Sequence, residues 1–205
     1  MKLATFAASV SLASVPAYGQ FTEFFDEALF LAELDSVTVE TFDGFLPGDG
    51  VDAVTFFDFG AFTADGFNGA EFIVAAGGSF GDVNGTNFID GFVGATPSVR
   101  TVVLTFDDPI SALGADFVSP GSGSGLAFEV GGVTALDTTP LGFGSGFAGF
   151  TSDTPFTEVT LTFGTGTSAA EVFSFDDLAF GTLIPEPTSL ALFGMAGPVG
   201  LRRRR

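Results

Sequence analysis

In this chain a phenylalanine is repeatedly followed by an acid, as in Phe42-Asp43-Gly44, Phe57-Asp58, Phe106-Asp107-Asp108 and Phe175-Asp176-Asp177. A ring turned inward and a carboxylate turned outward suits a strand edge on structural grounds alone, because successive residues face opposite sides. The same acids carry the chemistry open to this chain, with Glu40 and Asp43 on an early strand and Asp176 and Asp177 on the last. Paired carboxylates can cleave a glycosidic bond when acid and partner stand at a suitable separation, and Glu40 and Glu71 would be the first to substitute. Arg100 has a planar fork that can orient a carboxylate ligand or pair with one of the surrounding acids.

Absences narrow the chemistry further. The chain has no histidine and no cysteine, and its single lysine is Lys2. Disulfides, Ser-His and Cys-His nucleophile pairs, histidine or thiolate zinc sites, Schiff-base lysines and the usual haem ligation are thereby excluded. Carboxylates, hydroxyls, Arg100 and a hard cation remain. Six basic residues face 25 acidic ones, a net charge of −19, and Lys2 and Arg202 to Arg205 sit at the termini. Arg100 therefore stands alone against the acids of the body. Such a field repels nucleic acid and anionic lipid, and it attracts divalent cations or suits high salt. No nucleic-acid partner is expected, and many of the carboxylates read as solvated surface. The 28 phenylalanines come without tryptophan and with one tyrosine, Tyr18. Sugar sites lean on Trp and Tyr, which join a ring face to a polar handle, so the phenylalanines read chiefly as core.

The elements that must position these groups are strands. Val37 to Phe42, Thr101 to Phe106 and Glu158 to Phe163 largely alternate apolar and polar residues, as half-buried strands do. Further strands are expected over Phe72 to Ala75, Ala112 to Val118, Leu126 to Val130, Gly146 to Thr151 and Val172 to Phe180. Turn residues cluster between them, as in Gly77-Gly78-Ser79, Asp82-Val83-Asn84-Gly85 and Asp107-Asp108-Pro109. The glycine- and serine-rich 119–125 and Leu141 to Gly146 read as surface loops, and neither holds a phosphate-binding pattern. Only Thr22 to Leu34 has helical spacing. Eight or more short strands without intervening helices predict an all-β fold, an antiparallel β-sandwich of jelly-roll type, formed by residues 20–184 as one domain.

From Val37 to Phe180 the body is similar to the jelly-roll domains of extracellular bacterial proteins and carbohydrate-binding modules. The likeness rests on the opening strand Val39-Glu40-Thr41-Phe42-Asp43-Gly44 and the closing strand Phe175-Asp176-Asp177-Leu178-Ala179-Phe180. It implies that the first and last strands lie side by side, where a calcium ion can staple them. Calcium takes about six to eight oxygens, and Glu40, Asp43, Asp176 and Asp177 are the ligands this resemblance implies.

The two ends carry addresses. Met1-Lys2, the uncharged run Leu3 to Val15 and the small residues around Ala17 and Gly19 form a secretory signal peptide, residues 1–19. At the other end, residues 185–205 join Pro185-Glu186-Pro187, a charge-free stretch from Ser189 to Leu201, and Arg202-Arg203-Arg204-Arg205. The prolines hold the tripeptide extended, the apolar stretch partitions into a bilayer as a short sorting helix, and the arginines keep its end cytoplasmic. This order resembles the PEP-CTERM sorting signal of Gram-negative bacteria. The resemblance implies processing by an exosortase-type enzyme after transient inner-membrane insertion, and a setting of exopolysaccharide and biofilm. The expectation is an exported, non-enzymatic structural or adhesive protein of the cell envelope, surface or matrix. A calcium-dependent carbohydrate-binding module is the alternative reading, and a hydrolase using only carboxylates a third.

Overall fold

A computed structural model describes residues 19–51, 56–78, 82–94, 99–118, 125–142, 144–163 and 170–185. The expected signal peptide up to residue 18 and the sorting segment from residue 186 lie outside the described residues, as does most of the loop 119–125. In chain order the elements are β1 (Phe21–Phe24), α1 (Glu27–Leu31), β2 (Leu34–Glu40), β3 (Gly50–Val51), β4 (Phe56–Asp58), β5 (Phe62–Phe67) and β6 (Glu71–Ala75). β7 (Phe88–Gly94), β8 (Thr101–Val118), β9 (Leu126–Val130), β10 (Val133–Asp137), β11 (Ser145–Phe163) and β12 (Ala170–Leu183) complete the set. All pairings are antiparallel, so the chain is an all-β antiparallel protein, as expected.

Three strands are long rather than short: β8, β11 and β12 run 18, 19 and 14 residues. Thr101 to Phe106 and Ala112 to Val118, expected as two strands, are the two halves of β8. Each half has its own neighbours. The first half of β8 lies between β5 and the second half of β11, which continues to β9 and β10. The second half of β8 lies between the first half of β11 and β12. Pro109 sits between the halves of β8, and the register shifts between Thr151 and Glu158 of β11, where Pro155 falls. Proline cannot donate to a ladder and is placed at such breaks. The long strands thus pass from one layer to the other, and the core lies between.

That core is aromatic. Phe62, Leu104, Phe128 and Leu161 of one layer meet Phe72, Phe117, Phe150, Phe173 and Phe175 of the other in a single buried cluster. Edge-on ring pairs bridge the layers, as between Phe117 and Phe128 at 6.1 Å and Phe62 and Phe180 at 6.2 Å.

The expected helix Thr22 to Leu34 is corrected to a four-residue strand and a five-residue helix. Phe21–Phe24 adds to the edge of β11 instead. Asp26 ends that strand by accepting from Leu29 N at 3.0 Å as the N-cap of α1. Phe30 of α1 is buried against Ala112, Phe147 and Ala179 on the outer face of the second layer. No described helix is long and apolar enough to cross a membrane. The expected loop Leu141 to Gly146 is also shorter, since β11 begins at Ser145.

Candidate functional site

β2 and β12 pair directly, Glu40 opposite Leu178 and Val39 opposite Ala179, so the early and late acids do come to one region. β7 holds the same side of β12 as far as Phe175, and β2 takes over from Leu178. Asp176 and Asp177 fill the gap between these two neighbours. There the register with β8 shifts between Asp176 and Ala179, and Asp177 adopts φ 51. The sheet branches at the two acids.

The opposite wall is the turn Asn84 to Asn87. Thr86 Oγ1 donates to Asp176 Oδ2 at 2.7 Å, and Asp177 N donates to Asp176 Oδ1 at 2.7 Å. Asn84 Nδ2 donates to Asp177 Oδ2 at 3.1 Å. Asn87 N donates to Asp43 Oδ1 at 3.1 Å, and its side chain donates to Phe45 O at 3.1 Å. Asp82 fastens the base of the turn by accepting from the Gly78 and Gly85 amides, which hold its carboxyl below the usual range. Phe42 makes the crossing possible. At φ 57 its ring enters the core against Phe59 and Phe175 while Asp43 stays exposed.

The alternation of inward ring and outward acid holds at Phe42-Asp43 and Phe106-Asp107. Asp176 corrects it. It points away from the core, yet the turn covers it completely, with 0% of its surface exposed. Burial pushes its carboxyl up to about 6, and the neighbouring Asp177 and Asp43 add to the rise against the hydrogen bonds from Thr86 and Asp177 N. Asp116, directly opposite Asp176 on β8, is raised as well, by its burial and then by Glu27 and Asp177.

Glu40 stands apart from this cluster, because its Oε1 turns back to accept from Phe42 N at 2.8 Å. Among the described residues no three acids converge in a way that would hold a metal ion. The carboxylates of Asp43, Asp176 and Asp177 are instead engaged by the turn. Glu71, the other acid considered for hydrolysis, is exposed at the start of β6 opposite Phe92. Arg100, expected either to orient a carboxylate ligand or to pair with an acid, is placed over a ring among the described residues. Its guanidinium lies 5.0 Å from the centre of the Phe92 ring, and its buried Nε has no hydrogen-bond partner.

Sequence reasoning missed Asn84, Thr86, Asn87 and Asp116. Asn84 lies in a stretch read only as a turn, and Thr86 and Asn87 follow it directly; Asx and Thr side chains are what such turns use to bind backbone and neighbours. Asp116 was legible as the one acid within the apolar run Ala112 to Val118. A separate groove of about 460 Å³ opens between β2 and the bend of β8, with Ser36, Thr38 and Thr182 on one wall and Asp107 and Asp108 on the other.

Fold and site together define an antiparallel all-β sandwich with an acidic cluster closed by a polar turn. No protein-family model matches the chain, and no curated protein matches it. Among solved structures, the K2 cleaved adhesin domain of Lys-gingipain (Kgp) is similar over 71% of this chain and 99% of that one, at 12% identity and a TM-score of 0.46.

Proposed function

We propose that this chain is an exported, non-enzymatic structural or adhesive protein, a jelly-roll-like sandwich delivered to the cell envelope, surface or matrix by an exosortase-type system. The observation that carries the reading is the ordered C-terminal series Pro185-Glu186-Pro187, the charge-free Ser189 to Leu201, and Arg202 to Arg205. Its order is mechanical: a rigid extended grip, a membrane-partitioning stretch and a cytoplasmic anchor. The described chain ends β12 at Leu183, and Ile184 N donates to Glu33 O at 2.9 Å. The sandwich is therefore closed just before the tripeptide, and removal of residues 185–205 leaves every described strand in place. Exopolysaccharide is the partner this setting supplies.

Expression of the full chain in a host with an exosortase-type enzyme tests the reading. A shortened protein should collect outside the inner membrane, and substitution of Pro185 to Pro187 by alanine should hold the full-length form in the membrane fraction. Equal distribution of both forms would overturn it.

A calcium-dependent carbohydrate-binding module is the second reading: Asp43, Asp176 and Asp177 each accept from the turn Asn84 to Asn87, although as they stand they do not converge on a metal site. A cation there must draw these carboxylates from Asn87 N, Thr86 and Asn84. Binding to the host's exopolysaccharide that disappears with chelator would favour it over the first reading.

A further inference from the structure

An apolar strip begins where the described chain ends. Leu183 of β12 pairs with Leu34, and Ile184 N donates to Glu33 O at 2.9 Å. Pro185 therefore leaves the sandwich beside the end of α1 and the start of β2. From there the outer face carries Val37, opposite Gly181, and Val39, opposite Ala179. Phe30 covers Ala179, and Leu34 packs against the same cluster. Val37 and Val39 nonetheless remain 48% and 47% exposed.

The strip runs toward acids. Ala112 of the Phe30 cluster and Asp116 lie on one face of β8, since alternate residues share a face. Glu27, in the first turn of α1, and Asp177 both act electrostatically on Asp116. Along β12, Leu183 and Asp177 are about 20 Å apart. The sequence beyond Pro185 has the same order as the face: a charge-free stretch from Ser189 to Leu201, then Arg202 to Arg205. Read as a helix, Ser189 to Leu201 also spans about 20 Å.

We propose that residues 186–205 fold back over this face, with Ser189 to Leu201 on Val37 and Val39 beside α1, and the arginines against Glu27, Asp116 and Asp177. The contact takes apolar surface of both partners out of water. It is intramolecular, so a short tether gives it a high effective concentration. The body has one cation of its own, Arg100, and that lies over the Phe92 ring. The four arginines bring to the acids the charge that the body lacks. The strip covers the segment in water, and a bilayer, which buries it on all sides, takes it away. This docking goes beyond the sorting proposed above and does not require it, because it is read on purified full chain that no processing enzyme has met.

The chain has no cysteine, so T41C, just past β2, and G200C can carry a pair of nitroxide labels. In detergent-free buffer the full chain should give one short, narrow distance between them. A free coil from Pro185 to Gly200 spans about 20 Å or more and would give a broad one. V37T and V39T together should lower the ratio of docked to free chain about tenfold. Replacement of Arg202 to Arg205 by glutamine should lower it as well. V133T changes an equally exposed valine on β10 and should leave the ratio as it is. A broad distance in the parent overturns the proposal, as does a ratio that either set of strip or arginine variants leaves unchanged, or that V133T lowers equally. A short distance that disappears when labelled chain is diluted into excess unlabelled chain would place the segment on a neighbouring copy, and it overturns the fold-back too.

Discussion

At Asp176 a carboxylate without exposed surface accepts from Thr86 Oγ1 and Asp177 N while Asp43, Asp116 and Asp177 surround it. Burial wins over the hydrogen bonds, so its pKa rises from 3.8 to about 6. The folded chain therefore holds a proton that the unfolded chain has released between these values. The stability this proton supplies is complete below about 3.8 and is lost as pH rises through about 6. A rise of this size corresponds to on the order of 3 kcal/mol. Asp176→Asn keeps the shape of the protonated acid and can donate to Thr86 Oγ1. Urea unfolding should find it close to the parent at pH 4 and more stable at pH 8; a difference independent of pH would remove the account. Asp90 and Asp116, both raised by burial, shift the parent's own profile in the same direction, and Asp82, held low by backbone amides, opposes them. Difference curves against the parent isolate Asp176.

At the scale of elements, β12 organises the second layer, since β7, β8 and β2 all pair with it. Its seat for β2 depends on Gly181. A Cβ there would stand 1.9 Å from Ser36 O and 3.2 Å from Val37 Cα, against backbone that cannot yield as a side chain would. Gly181→Val should cost about 2 kcal/mol or more in denaturant unfolding and should speed hydrogen exchange across Leu34–Glu40 ahead of the other strands. Exchange that rises uniformly would mean β2 is not a separate unit. Much of the sheet was legible in the sequence: the strands expected over Phe72 to Ala75, Leu126 to Val130 and Val172 to Phe180 are present. The long strands were not legible, because Pro109 and Pro155 read locally as terminators. Only the change of neighbours on either side shows that one strand continues through each. The Thr22 to Leu34 helix failed for a related reason. Its phenylalanines have helical spacing, but the open edge of β11 offers Phe21–Phe24 a ladder that a short helix cannot match.

The whole molecule is governed by charge and by its two ends. With 25 acids against six bases, and Arg100 set over the Phe92 ring, repulsion among carboxylates works against the compact state. The melting temperature should climb steadily as sodium chloride is added, because screening removes more repulsion than attraction. A fall with salt would show that attractive pairs dominate. Calcium provides a sharper comparison at constant ionic strength. The carboxylates beneath the turn already have partners, so chelator should leave the melting temperature unchanged. A marked drop would support the calcium-dependent reading and direct mutation to Asp43, Asp176 and Asp177, with Glu40 as a control outside the cluster.

The sequence by itself determined the all-β class, the exclusion of histidine and thiol chemistry, and the expectation of export and sorting. Each of these depends on composition or on a short contiguous pattern. It also named Glu40, Asp43, Asp176 and Asp177 as acids of an early and the last strand; the jelly-roll resemblance implied that these strands are neighbours, and β2 does pair with β12. Tertiary structure alone decided which of these acids are exposed. Asp43 and Asp176 have the same local pattern, a phenylalanine and then an aspartate. They differ because the turn Asn84 to Asn87, some ninety residues from Asp176 in the chain, closes over one of them. Burial by a distant segment leaves no mark on the residues it covers, and for that reason the raised pKa and the branch of the sheet emerge only from the fold.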